Sequence, residues 1–196
     1  MRSDAEVCAV LHPLLFGWHH EGIRRTGEVY PLGAFLLMGA TIDVLAGLAY
    51  NPADDGDRGR GGRYKRFVQD YFPPQYTKLR EALWEGLRST PLHYFTTSTI
   101  VFADSQPEAG LHLDQLDGDR VVLHWPEFLR DYEAARDKYW EQLSRDGQLM
   151  TKARKRLERH PLMTVETVER GLTLPLTLPA EFPPPATVIA SSTRVP

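Results

Sequence analysis

The sequence has very little cysteine, and this scarcity excludes two kinds of site. Cys8 is the single cysteine among 196 residues. An intramolecular disulfide or a cysteine-rich zinc site needs more than one thiol, so neither is expected. The first residues, from Met1 to Glu6, are mostly polar or charged and do not have the pattern of a secretory signal. We therefore expect a cytoplasmic protein.

The chain also lacks an excess of positive charge. It has 23 lysines and arginines against 26 acidic residues, which gives a net charge of -3 and a pI near 6.2. This balance argues against binding nucleic acid over the whole surface, but it leaves room for a local basic patch. Arginine outnumbers lysine 18 to 5. The ratio suits phosphate contacts, because guanidinium groups match phosphate geometry, and codon bias in a GC-rich genome explains it equally.

Nucleotide-binding fingerprints, nucleophile elbows and Ser-His-Asp arrangements are missing from the sequence. The glycine- and aspartate-rich stretch 51–62 matches neither a calcium loop nor a phosphate-binding loop, so it is predicted to be a surface loop. His19 and His20 are adjacent and would point to different sides of a helix. His112 and His124 offer at most two ligands from two predicted strands. We therefore predict no metal and no other cofactor.

The longest apolar run, Leu32 to Tyr50, contains one acid, Asp43. About 20 apolar residues suffice to span a membrane. The central acid, together with small residues such as Gly39 and Gly47, instead favours a buried helix at the centre of a soluble core. An unpaired carboxylate there would be costly, so Asp43 is predicted to have a cationic partner, with Arg88 as the first candidate.

Five further segments have the apolar periodicity of helices. They are Ser3–Arg25, interrupted by Pro13 and Gly17; Arg63–Tyr71, which ends at Pro73 and Pro74; a segment that begins near Gln75 and carries Leu79, Leu83 and Leu87; Pro126–Leu143; and the basic segment Gln148–Arg159.

The remaining segments favour extended structure. β-Branched and aromatic residues predict a strand from Tyr94 to Phe102. Leu111–Leu113 and Arg120–Trp125 flank an Asp-Gly pair and predict a β-hairpin. Alternating threonine, leucine and proline from Leu172 to Pro196 predict an extended or polyproline conformation.

Together these segments predict a mainly α protein. A helical bundle with a small β-hairpin at about 98–125 occupies residues 1–160, and an extended, proline-rich carboxyl-terminal arm occupies 161–196. The arm is too apolar for a free disordered end, so we expect it to dock on a partner or on another copy of the chain.

Arg88 closes the leucine pattern of the segment after Gln75, and His93 follows five positions later. A fixed cation and a group that titrates near neutral pH thus lie close in sequence at the end of an ordered element. The leucine-rich run Leu79–Arg88, followed by Ser89 and His93, resembles the HEPN superfamily. Its motif is an arginine, often with a polar residue next to it, and a histidine four to six positions on. Arg154 and His160, six positions apart on a heavily charged helix, also fall within the range of spacings that the motif permits.

The resemblance implies a helical, metal-independent endoribonuclease or an RNA-binding protein derived from one, acting as a homodimer in a bacterial defence or toxin setting. His93 would exchange protons with the 2′-hydroxyl or the leaving oxygen, and Arg88 would stabilise charge on the phosphate. Asp43 and Ser89 would support this pair. Pro91 lies between Arg88 and His93 and is predicted to break the helix there. The break would either turn His93 towards Arg88 or separate the two residues. In the other interpretation Arg88 only caps its helix.

Lys152, Arg154, Lys155 and Arg156 on the basic segment are candidates for contact with nucleic acid or an acidic partner, and a solvated charged face is the alternative. A second function also fits the sequence. The protein would then be a non-catalytic interaction subunit that assembles through its carboxyl-terminal arm.

Overall fold

The computed structural model describes residues 2–51, 61–89, 99–104, 110–116 and 120–162. One compact unit runs from Met1 to Met163, and the second, Thr164–Pro196, lies outside the described residues. The prediction of an extended arm at 161–196 therefore falls outside them as well, apart from Pro161 and Leu162.

The prediction of a mainly α protein is confirmed, because helices make up most of the described chain. In chain order the elements are α1 (Asp4–Phe16), α2 (Trp18–Val29), α3 (Pro31–Ala49), α4 (Gly62–Tyr71), a 3₁₀ helix (Pro74–Lys78), α5 (Arg80–Leu83), a π-helical turn (Trp84–Ser89), β1 (Ile100–Ala103), β2 (Val121–His124), α6 (Trp125–Arg145) and α7 (Gly147–Arg159).

The first predicted helix is divided at Gly17. Ser3 begins α1 with a capping box, in which its hydroxyl accepts from the Glu6 N–H and the Glu6 carboxylate accepts from the Ser3 N–H. Gly17 leaves helical geometry with φ -108° and ψ -135° and separates α1 from α2. The interruption expected at Pro13 is wrong, since Pro13 lies inside α1. It is one turn from the end of the helix, where the loss of a single donor is tolerated.

Helix α3 is the central helix of the core, as predicted. Its buried side chains include Phe35, Met38, Ile42 and Leu45, and it packs against α2, α4, α7 and the π-helical turn. Among the described residues, α3 alone is long and apolar enough to cross a membrane by length and composition. Within its most apolar window, 61% of the residues are buried in the fold.

The leucine-striped segment is not one continuous α-helix. It passes from the 3₁₀ helix through the single turn of α5 into the π-helical turn. Leu83 and Leu87 are buried and Leu79 is partly buried, so the stripe still faces the core. Pro73 and Pro74 end α4 and begin the 3₁₀ helix, a position where proline is tolerated because the first N–H groups of a helix have no partner within it.

The two described strands form a parallel pair, which the sequence did not predict. Ile100 lies opposite Val121 and Ala103 lies opposite His124. The strand expected at Tyr94–Phe102 is thus present at its carboxyl end, and residues 90–98 lie outside the described part.

The predicted hairpin is present in part, because the segment 110–116 runs antiparallel to β2. The Leu113 N–H donates to the Val122 carbonyl at 2.8 Å, and the Val122 N–H donates to the Asp114 carbonyl at 3.0 Å. The segment nevertheless forms one isolated bridge, Gln115 to Val121, and not a regular strand. The reason lies in its backbone. Leu113 has φ 69°, and the Asp114 N–H donates to the Leu111 carbonyl in a turn, so the chain cannot run extended there.

The last two helices match their predictions closely. Phe128, Tyr132, Ala135 and Tyr139 are buried on α6, and Leu129 and Trp140, also expected to face inward, are partly buried. Asp146 begins α7 by accepting hydrogen bonds from the N–H groups of Gln148 and Leu149 at 2.8 and 3.2 Å. Helix α7 buries Leu149, Met150, Ala153 and Leu157 and leaves its basic residues on the other faces.

Candidate nucleic-acid interface

Arg88 lies in the π-helical turn and pairs with Asp43 of α3. Its Nε is 2.9 Å from Oδ2 of Asp43, and the two side chains are 31% and 38% exposed. The ion pair predicted from the lone acid in the apolar helix is therefore present, at a half-buried position. Ser89 ends the turn, its side chain is not among the described groups, and His93 lies outside the described residues. The structure thus describes the arginine of the predicted Arg88–His93 site and not the histidine.

A buried tyrosine, Tyr64, lies near this ion pair. Tyr64 of α4 is fully buried, and its hydroxyl makes no hydrogen bond within the described part of the chain. Burial raises the pKa of Tyr64, the Asp43 carboxylate raises it further, and Arg88 acts in the opposite direction. The tyrosine therefore stays neutral beside the pair.

The basic helix α7 reaches the same face of α3 one turn further along. Gly47, four residues after Asp43, faces the Arg156 guanidinium so closely that a methyl group on it would lie 3.3 Å from Nε. Burial and then nearby Arg63 lower the pKa of Arg156, while Asp43 raises it. Asp43 thus interacts with both Arg88 and Arg156. The fold brings together two sets of residues that the sequence singled out separately.

A small pocket of about 80 Å³, here called the basic pocket, opens beside Arg156. This volume suits a few water molecules, at about 30 Å³ each, or one anion of similar total size. Basic side chains dominate the lining and no acid is among the described residues that form it. The lining residues are Gly47, Tyr50 and Asn51 from the end of α3, and Lys152, Lys155, Arg156, Arg159 and His160 from α7 and its cap.

Three of the four predicted nucleic-acid contacts, Lys152, Lys155 and Arg156, line this pocket. Arg154 does not, because its guanidinium pairs with Asp4 of α1. Sequence reasoning missed Arg159 as a contact, although the signal was present. Residues 152, 155, 156 and 159 share one helical face by their spacing of three and four, whereas 154 falls off that face.

A larger pocket of about 540 Å³, here called the polar cleft, adjoins the basic pocket and shares Tyr50 and Lys152 with it. Its other walls come from the end of α3, from α4, from the end of α6 and from the start of α7. They consist of Ala49, Arg66, Gln69, Asp70, Tyr71, Gln142, Asp146, Gln148 and Leu149.

Acids and bases are mixed in the polar cleft. The Tyr50 hydroxyl donates to Oδ2 of Asp70 at 2.7 Å, and the Arg66 guanidinium lies 4.6 Å from the centre of the Tyr50 ring. Burial raises the pKa of Tyr71 to about 12, with further contributions from Asp70 and Asp146. Both carboxylates therefore act on the same region of the cleft.

The histidines considered for metal binding make other contacts. His19 Nε2 is 2.7 Å from the Thr41 hydroxyl, and His20 Nε2 is 3.0 Å from Glu133. Burial, and next the charge of Arg136, lowers the pKa of His20, and Glu133 offsets this only in part.

His112 belongs to a buried network with Tyr76 and Asp131. Its Nδ1 accepts the backbone N–H of His124 at 3.1 Å, so in the neutral ring Nε2 carries the proton that points to the Tyr76 hydroxyl, 2.9 Å away. That hydroxyl donates to Asp131. Burial raises the pKa of Asp131, but the His112 ring, whose Nε2 lies 3.6 Å from Oδ2, and the hydrogen bond from Tyr76 outweigh it, so the net pKa is lowered. Within the described residues no group of three or more potential ligands is arranged for a metal.

Comparison of the chain with protein-family models, curated proteins and solved structures finds no match.

Proposed function

We propose that this protein binds RNA through the basic pocket and the surrounding face of α7. The observation that carries the proposal is the charge of the pocket. Lys152, Lys155, Arg156 and Arg159 converge on one small concavity of a chain whose net charge is -3. Positive charge concentrated in this way favours a phosphate group over a neutral ligand.

The position of Arg88 supports the same interface. It lies on the face of α3 that also receives Arg156, and Asp43 interacts with both arginines. A phosphate chain that leaves the basic pocket along α3 would meet Arg88 next. The resemblance of the Arg88–His93 segment to the HEPN superfamily favours RNA over other polyanions.

A more specific hypothesis is that the protein also cleaves the RNA that it binds. Arg88 would stabilise charge that accumulates on the phosphate, and His93 would transfer protons without a metal ion. Asp43 suits a positioning role, because its 2.9 Å contact holds the guanidinium while leaving it 31% exposed. A homodimer and a defence or toxin setting follow from the resemblance alone.

The binding proposal is tested by fluorescence anisotropy with a single-stranded RNA. Lys155→Glu/Arg159→Glu should weaken binding at least about tenfold and reduce the salt dependence by about two phosphate contacts. The matched control is Arg24→Glu/Arg25→Glu, which changes net charge equally on α2, where the side chains are 54% and 76% exposed. Equal losses in both variants, or none in the first, would contradict a localised site.

The same RNA tests cleavage. Wild-type protein should cut it in the presence of a chelator, and His93→Ala should abolish cutting while retaining affinity, since the loss is one of chemistry. Intact RNA after incubation with wild-type protein would remove the ribonuclease hypothesis and leave the binding proposal in place.

A further inference from the structure

The basic pocket and the polar cleft share two residues, yet they differ sharply in charge. Tyr50 and Lys152 line both. Beyond them, Lys155, Arg156 and Arg159 make one side strongly positive. On the other side Asp70 and Asp146 balance the charges of Arg66 and Lys152, and Arg66 Nε lies 3.6 Å from Oδ2 of Asp70. Such a boundary between adjoining pockets constrains how a polyanion can lie across them.

A phosphate in the basic pocket is stabilised by an excess of positive charge. A second phosphate in the polar cleft would meet Asp70 and Asp146 as well as Arg66 and Lys152, and would gain no net attraction there. Like charges at short range repel, and water screens them less inside a cleft than on an open surface. A strand bound in the basic pocket is therefore not expected to continue through the cleft. The group that suits the cleft is uncharged and rich in donors.

Each of the two carboxylates in the cleft has one oxygen that can accept a further hydrogen bond. Asp70 uses Oδ2 for Tyr50, and Asp146 uses Oδ1 for the start of α7. Oδ1 of Asp70 and Oδ2 of Asp146 make no hydrogen bond within the described part of the chain. The exposed amides of Gln142 and Gln148 stand beside them and provide both donors and acceptors.

We propose that the two pockets form one site for the 3′-hydroxyl end of an RNA strand. The last phosphodiester lies in the basic pocket and the terminal nucleoside in the polar cleft. The free 2′- and 3′-hydroxyls of its ribose donate to the carboxylates of Asp70 and Asp146, and Gln142 and Gln148 contact the base edge. The preceding phosphates lead from the basic pocket along α3 towards Arg88. This inference rests on the RNA binding proposed above.

The cleft offers room for this unit. Its volume of about 540 Å³ lies within the 300–1,000 Å³ that is typical of pockets for small organic ligands, whereas the basic pocket of about 80 Å³ is too small for a nucleoside. A ribonucleoside 5′-monophosphate carries the same chemistry as the strand end. The test therefore includes it as a separate competitor.

Competition against a labelled RNA tests the proposal with unlabelled RNAs of one sequence that differ only at their ends. An RNA with a 3′-hydroxyl should compete about tenfold better than one with a 3′-phosphate, which places extra negative charge between the carboxylates. A phosphate added at the 5′ end should change competition little. In Asp146→Asn the preference should fall to about threefold or less. Asparagine still caps α7, so the variant should fold.

Glu28→Gln is the matched control, because Glu28 is an exposed acid of α2 that lines neither pocket, and it should keep the full preference. Equal competition by the 3′-hydroxyl and 3′-phosphate RNAs would overturn the strand-end site while RNA binding through Lys155 and Arg159 stands. Competition by the mononucleotide as strong as that of the RNA would also overturn it in favour of a free nucleotide. If no RNA binds, the proposed function fails first and this inference fails with it.

Discussion

At the scale of single residues, Asp43 shows how a sequence anomaly becomes a structural contact. An acid within an apolar run requires a partner, and Arg88 is 2.9 Å away. The apolar run around Asp43 predicts that this carboxylate is buried, where an unpaired charge would cost several kcal/mol. The Asp43 side chain is 38% exposed, so the pair is partly solvated, and such pairs usually contribute up to about 1 kcal/mol.

Replacing Asp43 with leucine should therefore destabilise the protein modestly. We expect Asp43→Leu to lower the free energy of unfolding by about 1 kcal/mol, because Arg88 loses its partner beside Arg156. Urea unfolding measures the change. The double variant Asp43→Leu/Arg88→Leu should recover part of the loss, since no unpaired cation remains. An unchanged midpoint in the single variant would mean that the pair contributes nothing to stability.

At the scale of elements, close approach to α3 positions the π-helical turn that carries Arg88. A methyl group on Gly39 would lie 2.6 Å from the Leu87 carbonyl oxygen, which is backbone and cannot move alone. Leu87 immediately precedes Arg88 in that turn. The small residue at 39 thus determines how near the guanidinium comes to Asp43, one helical turn away.

Gly39→Ala should lower the free energy of unfolding by about 1–3 kcal/mol, because the added methyl overlaps the π-helical turn. The matched control is Gly22→Ala in α2, where an added methyl meets no described atom within 4 Å. That control should be neutral or stabilise by up to about 1 kcal/mol, since alanine restricts the unfolded chain and favours helix. Thermal and urea unfolding compare the two. Equal effects would show that the turn yields freely at Gly39.

Regular elements with long apolar periodicity were predictable from sequence, and irregular ones were not. The patterns of α3, α4, α6 and α7 placed these helices within a few residues. The π-helical turn escaped because Leu83 and Leu87 fit one face of an α-helix as well as a wider turn. The pairing of β1 with β2 escaped because local alternation does not determine which strands meet, and the turn at Leu113 has no strong sequence signal.

At the scale of the whole molecule, the sequence found the components of the site but not their arrangement. The basic face of α7 was visible from spacing alone. That Arg156 lies against Gly47, one turn from the Asp43–Arg88 pair, depends on how α7 packs across α3. The polar cleft depends on how α3, α4, α6 and α7 pack together, and Lys152 is the one residue of its lining that the sequence predicted as a nucleic-acid contact.

The last prediction concerns removal of the carboxyl-terminal arm. The described core is built from side chains between Val7 and Leu157, so a chain that ends after Gly171 retains all of them. Its circular dichroism and unfolding midpoint should therefore stay close to those of the full chain. The arm is rich in prolines and apolar residues, which favour docking in an extended form at low entropic cost. Sedimentation should then show weaker assembly of the truncated protein. Loss of helical signal would assign the arm to its own core, whereas unchanged assembly would remove the main support for an interaction subunit and leave RNA binding as the better account.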